Sequence, residues 1–479
     1  QFQRRILLTS QQILVCRACG HINPFDESQR CQECWLPLTR ATSMDQEKAE
    51  SIRGSRIPRF LRRPVLITSL ALVFGLIAWQ LVAIFDVMPR VFPPAEASGD
   101  AIPSLAPGDW GQVGRTAGGS RFTPYAAPIP TQIKWTFPTF SAVMASPSVV
   151  DGRVYFSTDD GRLVVLDAES GDPIWEFVTG ARSSSSPAIV GDLVIFAIRQ
   201  GLVLAIDRDT GEQVWEVDLK SPIYASPVVG DGTVYIGSGA SMLFAIDAIT
   251  GKMRWASPTR DWVIAPAAYS GDTVIVASQG RMVDIFDTKN GRHRLKYDTG
   301  KVRFGGAPAI QGDLAYFSSD GGLIWAIDRE SQTYPLERFI FRAKLNFYVW
   351  QLISARPIQL GGIWSKRIGG SINLPLAITE DAIIGVKGNG PVVSRELETG
   401  TAIWSIDVDS NVGVAPTVAG QTVLIGDEDG NVIGIDTNSG KILWEFPIGV
   451  EITSSPIVAG DTIYVGAADG KLYAITGSN

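Results

Sequence analysis

The sequence predicts an all-β chain built on an eight-bladed β-propeller, preceded by a small metal-binding unit and one transmembrane α-helix. Three observations carry that prediction: two C-x-x-C pairs before residue 35, an uncharged run from Val65 to Phe85, and a repeat of about forty residues from Trp110 onward. They divide the 479 residues into a metal-binding unit at 1–45, a basic linker at 46–64, a helix at 65–88, a Pro-rich linker at 89–108 and a propeller at 109–479.

Cys16-Arg-Ala-Cys19 and Cys31-Gln-Glu-Cys34 stand eleven residues apart. Two residues between thiols let a tight knuckle aim both sulfurs at one point, and two knuckles supply four soft ligands for tetrahedral Zn²⁺. Gly20 follows the first knuckle, where a small residue eases the turn, and Trp35 follows the second. The segment resembles the short zinc ribbons of bacterial proteins, with Pro37-Leu38 closing the unit. That resemblance implies a structural Zn²⁺ on Cys16, Cys19, Cys31 and Cys34, with no coordination position left for catalysis. Iron uses the same four thiolates, and two disulfides are a third use of them, out of place on a cytoplasmic segment. His21 stands beside the cluster as a solvated or outer residue. A unit this small cannot fold on apolar burial alone, so bound metal would supply its stability.

Residues 1–64 hold eleven Lys/Arg against six Asp/Glu, a net +5, so a chain total of −7 leaves −12 for the remainder. Arg53, Arg56, Arg59, Arg62 and Arg63 crowd the end of that basic head. The run that follows, VLITSLALVFGLIAWQLVAIF, has twenty-one residues without a charge. At a rise of about 1.5 Å per residue it spans roughly 30 Å, the hydrocarbon thickness of a bilayer. Five Arg precede it and only Arg90 follows closely, which predicts a cytoplasmic N-terminus and an extracytoplasmic propeller, periplasmic or extracellular, on a single-pass anchor. A cleaved signal peptide does not fit, because sixty-four residues and a metal site come first. Pro89, Pro93 and Pro94 stop the helix and open the linker. All four Cys lie before residue 35, so the propeller can occupy an oxidising compartment without disulfide chemistry. Its acidic balance argues against nucleic acid as a partner.

The repeat is read from its ends. Asp167-x-x-x-Gly171-x-x-x-Trp175 returns as Asp207, Gly211 and Trp215, as Asp247, Gly251 and Trp255, and as Asp436, Gly440 and Trp444. One copy degenerates to Asp287, Gly291 and Leu295, and another becomes Glu396, Gly400 and Trp404. A Pro opens each unit, at 147, 187, 227, 266, 308, 375, 416 and 456, so eight units fit with one insertion. Period-two runs such as Thr233-Val-Tyr-Ile-Gly237 and Leu243-Phe-Ala-Ile-Asp247 make four short strands per unit, the content of a propeller blade. Gly takes the tight turn, Asp accepts hydrogen bonds from it, and Trp stacks between neighbours. The first Trp strand, around Trp135, precedes the first full unit, whereas the last unit stops at Leu472–Thr476 without one. The two ends are therefore expected to complete one blade between them.

The Ala-x-Asp-x-x-x-Gly-x-x-x-Trp unit resembles the tryptophan-docking repeat of the quinoprotein-like propellers. The entry segment Asp109-Trp-Gly-Gln-Val-Gly-Arg115, with Gly119-Ser-Arg-Phe-Thr-Pro124, is similar to the start of the same family. The resemblance covers 109–479 and implies one of two functions. One branch comprises dehydrogenases that hold pyrroloquinoline quinone and Ca²⁺; the other comprises non-enzymatic scaffolds, including the lipoprotein of the outer-membrane β-barrel assembly machine. The dehydrogenases add long loops and usually a vicinal disulfide, whereas residues 109–479 contain no Cys and the units stay near forty residues. His293 is the only His of the propeller and reads as a surface residue. The expectation is a non-catalytic accessory subunit without pyrroloquinoline quinone, docking other subunits of a membrane complex and held in the bilayer by residues 65–88. A quinone-dependent dehydrogenase and an extracytoplasmic ligand sensor are the alternatives.

The period leaves residues 333–360 unexplained. They mix Phe339, Phe341, Phe347, Tyr348 and Trp350 with Arg338, Arg342, Lys344 and Arg356. A satellite hairpin or helix is one reading of this insertion. Because aromatic and Arg enrichment marks interfaces, partner or bilayer-surface contact through Phe347, Tyr348 or Trp350 is the other. The segment is too short and too charged to span a membrane.

Overall fold

A computed structural model of the chain describes residues 106, 108–300, 303–304, 306–334, 336–388 and 390–478, and the backbone of 12–15, 22–24 and 42–45. Cys16, Cys19, Cys31 and Cys34, the basic linker, the helix expected at 65–88 and nearly all of the Pro-rich linker lie outside the described residues. Among the described residues no helix is long and apolar enough to cross a membrane. The chain divides into two compact units, Gln1–Pro93 with Tyr334–Gln359, and Pro94–Thr333 with Leu360–Asn479.

In the first unit, Gln12–Val15 pairs antiparallel with both Ile22–Pro24 and Thr42–Asp45. The insertion forms one helix, α1, over Glu337–Val349.

The second unit is the predicted propeller. Its eight antiparallel sheets each have four core strands, innermost to outermost, and seven of them are consecutive in the chain. Blade one, for example, runs Ser148–Val150, Arg153–Ser157, Arg162–Asp167 and Pro173–Val178. The two middle strands of a blade are covered on both faces by neighbours, so runs such as Val154-Tyr-Phe156 and Leu163-Val-Val-Leu166 are buried throughout. The outermost strand faces a neighbour on one side only, and its exposure alternates, as in Gln213–Asp218. The apolar clusters bridge adjacent blades: Trp110, Phe156 and Leu166 pack with Tyr464 and Leu472 across the seam between blades one and eight. Stability therefore comes from the closed set more than from any single blade.

The repeat residues do what their chemistry requires. Asp167 Oδ1 accepts from the backbone N–H of Glu169 and Ser170 at 3.0 and 2.8 Å, and Asp207 does the same for Asp209 and Thr210. Gly211 has φ +73°, and a Cβ there would stand 2.8 Å from Cδ2 of Trp175. In the same way Trp135, Trp175, Trp215, Trp255, Trp364 and Trp404 each lie against the glycine of the next blade's turn, whereas Trp444 meets Gly434 of its own blade. Five of these indoles donate Nε1 to the carbonyl thirty-three positions on: Trp135 to Ala168 at 3.1 Å, Trp175 to Arg208 and Trp215 to Ala248 at 2.9 Å, and Trp255 to Thr288 and Trp404 to Thr437 at 2.7 Å, while Trp364 Nε1 is buried with no partner among the described residues.

The degenerate copy keeps the geometry with other chemistry. Leu295 sits over Gly361, the turn glycine of blade five, where a Cβ would meet its Cδ2 at 2.5 Å. Beside it the buried Arg294 reaches Asp272 at 2.7 Å and Asp287 at 2.8 Å. His293 is half-buried, its side chain 21% exposed. Its ring lies 4.3 Å from that of Phe286, with Nε2 3.0 Å from the Pro258 carbonyl and Nδ1 3.3 Å from the buried Asp284.

Two devices close the ring. Ile129–Pro138 supplies the outermost strand of blade eight, pairing with Lys471–Ser478 so that Trp135 faces Ala474. The ends do complete one blade between them. Ahead of that strand, residues 110–123 form a belt along the inner edges of the blades. Trp110 exchanges two 2.7 Å hydrogen bonds with Val149 of blade one. The carbonyls of Gly111, Ala117, Gly118, Ser120 and Arg121 then accept from Ile189, Tyr269, Ile310, Ile378 and Val418 in blades two, four, five, six and seven. Phe122–Thr123 adds a parallel strand to Thr417–Ala419. In blade three the partner is a side chain: Gln112 accepts from the Val229 N–H at 2.8 Å and donates to its carbonyl at 3.2 Å.

Candidate functional site

Loops that join successive blades share one face of the propeller with the turns between second and third strands. On that face, across blades two to five, lies an open basin of about 1030 Å³ lined by Arg199, Tyr224, Arg260, Trp262, Arg281 and Arg303 among others. Tyr224 comes from the loop between blades two and three, and Trp262 from the loop between three and four. Their rings stack with centroids 6.4 Å apart and planes 16° apart. Both are exposed, Tyr224 at 40% and Trp262 at 52%.

The loops carrying these rings are pinned on both sides. Ile223 N–H donates to Arg199 O at 3.2 Å, and Pro222 O accepts from Gly239 at 2.8 Å. Val263 N–H donates to Ser238 O at 3.2 Å, while Trp262 O accepts from Gln279 at 2.9 Å. Asp261 is turned back on its own loop, accepting from the Trp262 N–H at 2.8 Å. Four guanidinium groups face one carboxylate, and Arg199 keeps a buried Nε with no hydrogen-bond partner among the described residues. An aromatic pair held by pinned backbone and ringed by Arg loses little entropy on binding and supplies the side chains found at interface hot spots.

A second cavity, about 430 Å³, opens on the opposite face beside the belt, lined by Asp109, Gln112, Arg115, Asp151, Arg208 and Asp231 among others. Burial raises the Asp109 carboxyl and lowers the Arg115 guanidinium from their ordinary ranges.

The lining of the basin does not fit a quinone held against a divalent cation. Such a pair needs several oxygen ligands around the cation, and the basin offers the single carboxylate of Asp261. Among the described residues no three His, Cys, Asp or Glu side chains come together as a metal site.

The predicted partner residues of the insertion separate in the structure. Trp350 is 62% exposed, whereas Phe347 and Tyr348 are half-buried, with Phe347 and Trp350 ring centroids 6.3 Å apart. Sequence reasoning missed Tyr224 and Trp262. They stand thirty-eight residues apart in two inter-blade loops, outside every repeat position; the one signal for them was large aromatics in loops whose counterparts carry small residues such as Ser184.

No curated protein sequence matches the chain. Among solved structures it is similar to BamB from Moraxella catarrhalis, with 18% identity and a TM-score of 0.59 over 73% of this chain and all of that one. The computationally designed protein Ika8 gives 16% identity and a TM-score of 0.60 over 72% of this chain and all of that one. Quinohemoprotein alcohol dehydrogenase from Comamonas testosteroni gives 16% and 0.61, over 78% of this chain and 81% of that one. At such identities these likenesses establish the fold alone. The family model described as outer membrane protein assembly factor BamB matches residues 130–203, 199–333 and 349–479. Blade architecture, docking tryptophans and this match over more than half of the chain agree: the chain belongs to the BamB-type PQQ_2 propeller family.

Proposed function

We propose that the chain is a non-catalytic, membrane-anchored scaffold whose extracytoplasmic propeller docks another subunit of a membrane protein complex. The observation that carries this reading is the exposed Tyr224–Trp262 stack, pinned by backbone hydrogen bonds and ringed by Arg199, Arg260, Arg281 and Arg303. A partner presenting an apolar anchor flanked by carboxylates matches it in shape and charge. The printed description of the family, an assembly factor, supports the same reading.

Phe347, Tyr348 and Trp350 are proposed as a further contact region. Residues 65–88 anchor the chain in the bilayer with the N-terminus cytoplasmic, a reading supported by the uncharged run and the Arg excess before it. Cys16, Cys19, Cys31 and Cys34 hold a structural Zn²⁺; support comes from the Val15–Ile22 pairing, which bounds a six-residue stretch containing the first C-x-x-C.

Affinity purification of the full chain from mild-detergent extracts, compared with a Trp262→Ala, Arg281→Glu variant, tests the docking site. The variant is expected to fold and lose its co-purifying subunit. An unchanged set of co-purifying proteins would sink the site, and tight binding of pyrroloquinoline quinone by the purified chain would replace the scaffold with the dehydrogenase alternative.

A further inference from the structure

The segment 334–359 carries Arg338, Arg342, Lys344 and Arg356 against the single acid Glu337, a net +3 inside a molecule that is acidic elsewhere. Glu337 is buried, so its charge is withdrawn from the surface. The three Arg are exposed, and among the described residues only Arg338 acts on a neighbouring carboxyl, that of the buried Glu337. Interleaved with them are large apolar side chains that face solvent: Phe339 at 68%, Trp350 at 62%, Leu352 at 63% and Ile358 at 63%. Along α1 and its C-cap, Phe339, Arg342, Asn346, Val349 and Trp350 follow the i, i+3, i+7, i+10, i+11 spacing of one helix face.

We infer that this face of α1 and the loop through Ile358 form a bilayer-surface element, seated on anionic lipid headgroups with Phe339, Trp350 and Leu352 in the acyl boundary. Three features select lipid over a protein partner. Basic and apolar residues without a surface acid are the composition of interfacial helices, and a helix-end Trp suits the headgroup layer. Finally, twenty-four residues separate Phe85 from Trp110, a tether of at most about 80 Å, so a bilayer anchored at that run is always within reach. The inference rests on the anchor proposed above, and it turns the insertion into a second point of attachment.

The test places the photocrosslinking amino acid p-benzoylphenylalanine at Gly75, Phe339, Trp350 or Leu352 of the full chain. Each protein is reconstituted in nanodiscs of phosphatidylcholine with phosphatidylglycerol. Lipid adducts at 339, 350 and 352 are the expected result. They should fall several-fold in phosphatidylcholine alone, or when Arg338, Arg342 and Arg356 are all replaced by Gln. Adducts at 75 with none at 339, 350 and 352 would overturn the inference and leave the anchor standing. Absence at all four positions would remove both, and adducts at the three insertion positions without one at 75 would remove the anchor alone. A yield indifferent to lipid charge would overturn the electrostatic half of the inference.

Discussion

The side-chain amide of Gln112 stands in for a strand, exchanging hydrogen bonds of 2.8 and 3.2 Å with the backbone of Val229 at the centre of the ring. Both partners are buried. Gln112→Leu keeps the volume and strands a buried N–H and C=O. It is expected to cost about 1–3 kcal/mol, read as a lower denaturation midpoint with an unchanged slope. A variant as stable as the parent would show that the belt follows the ring without holding it.

Gly211→Ala tests the docking geometry. Its φ of +73° disfavours any L side chain, and the new methyl would press on Trp175. Strain of about 1–3 kcal/mol is expected, together with a shift in tryptophan emission as the indole lifts from its seat. The exposed turn glycine Gly191, at φ +55° with nothing within 4 Å, is the control: its Ala variant meets the backbone cost without the indole.

Acid should loosen the blade turns. Asp247 is held by Arg254 Nη2 at 2.9 Å and by the Thr250 hydroxyl and N–H at 2.8 Å, which pulls its carboxyl from 3.8 to about 2. A folded-state pKa below the unfolded one stabilises above pH 3.8, and that stability is lost as pH falls toward about 2. The side chain meets solvent, so screening keeps its share to about 1 kcal/mol or less. Asp247→Asn should be less stable than the parent at neutral pH, and the gap should close at about pH 2. A gap that persists in acid would assign the effect to packing.

The cysteine proposal makes a compositional prediction. Elemental analysis of the full chain should return about one zinc per molecule. Cys31→Ser should lose it while the propeller's thermal transition stays in place. Stoichiometric iron, or a cysteine variant that keeps its metal, would reject zinc at these thiols.

Trp262 separates folding from docking. At 52% exposure its truncation should move stability by about 0.5 kcal/mol or less. A buried aromatic anchor in a complex is worth at least about 2 kcal/mol. Trp262→Ala should therefore weaken capture of the co-purifying subunit about thirty-fold or more at nearly constant melting temperature. Equal losses in both measurements would make Trp262 a structural residue.

The blades were legible in the sequence because each rests on a local demand. A turn with φ near +70° needs glycine, the turn's N–H groups need the Asp oxygen, and the flat indole needs the bare glycine below it. Even ring closure could be read, since Trp135 lacked a preceding strand and Leu472–Thr476 lacked a following one. Gln112 could not be read as a surrogate strand, because nothing local distinguishes it from any polar residue in a Gly-rich segment. The contacts of His293 were hidden for a related reason: the half-buried ring meets Phe286 and Asp284 of the neighbouring strand in its own blade. The Tyr224–Trp262 stack is likewise a product of assembly, meeting only once two separate loops are brought side by side.

Ring closure also sets an order of events. Ile129–Pro138 must wait through the 332 residues numbered 139–470 before its partner Lys471–Ser478 has been synthesised. During that interval the seam between blades eight and one stays open, exposing Trp110, Phe156 and Leu166 to water. A pairing so distant in the chain comes late and slowly. A chain emerging across a membrane would therefore spend most of its synthesis as an incomplete circle, sticky at one edge and in need of protection until the last strand arrives.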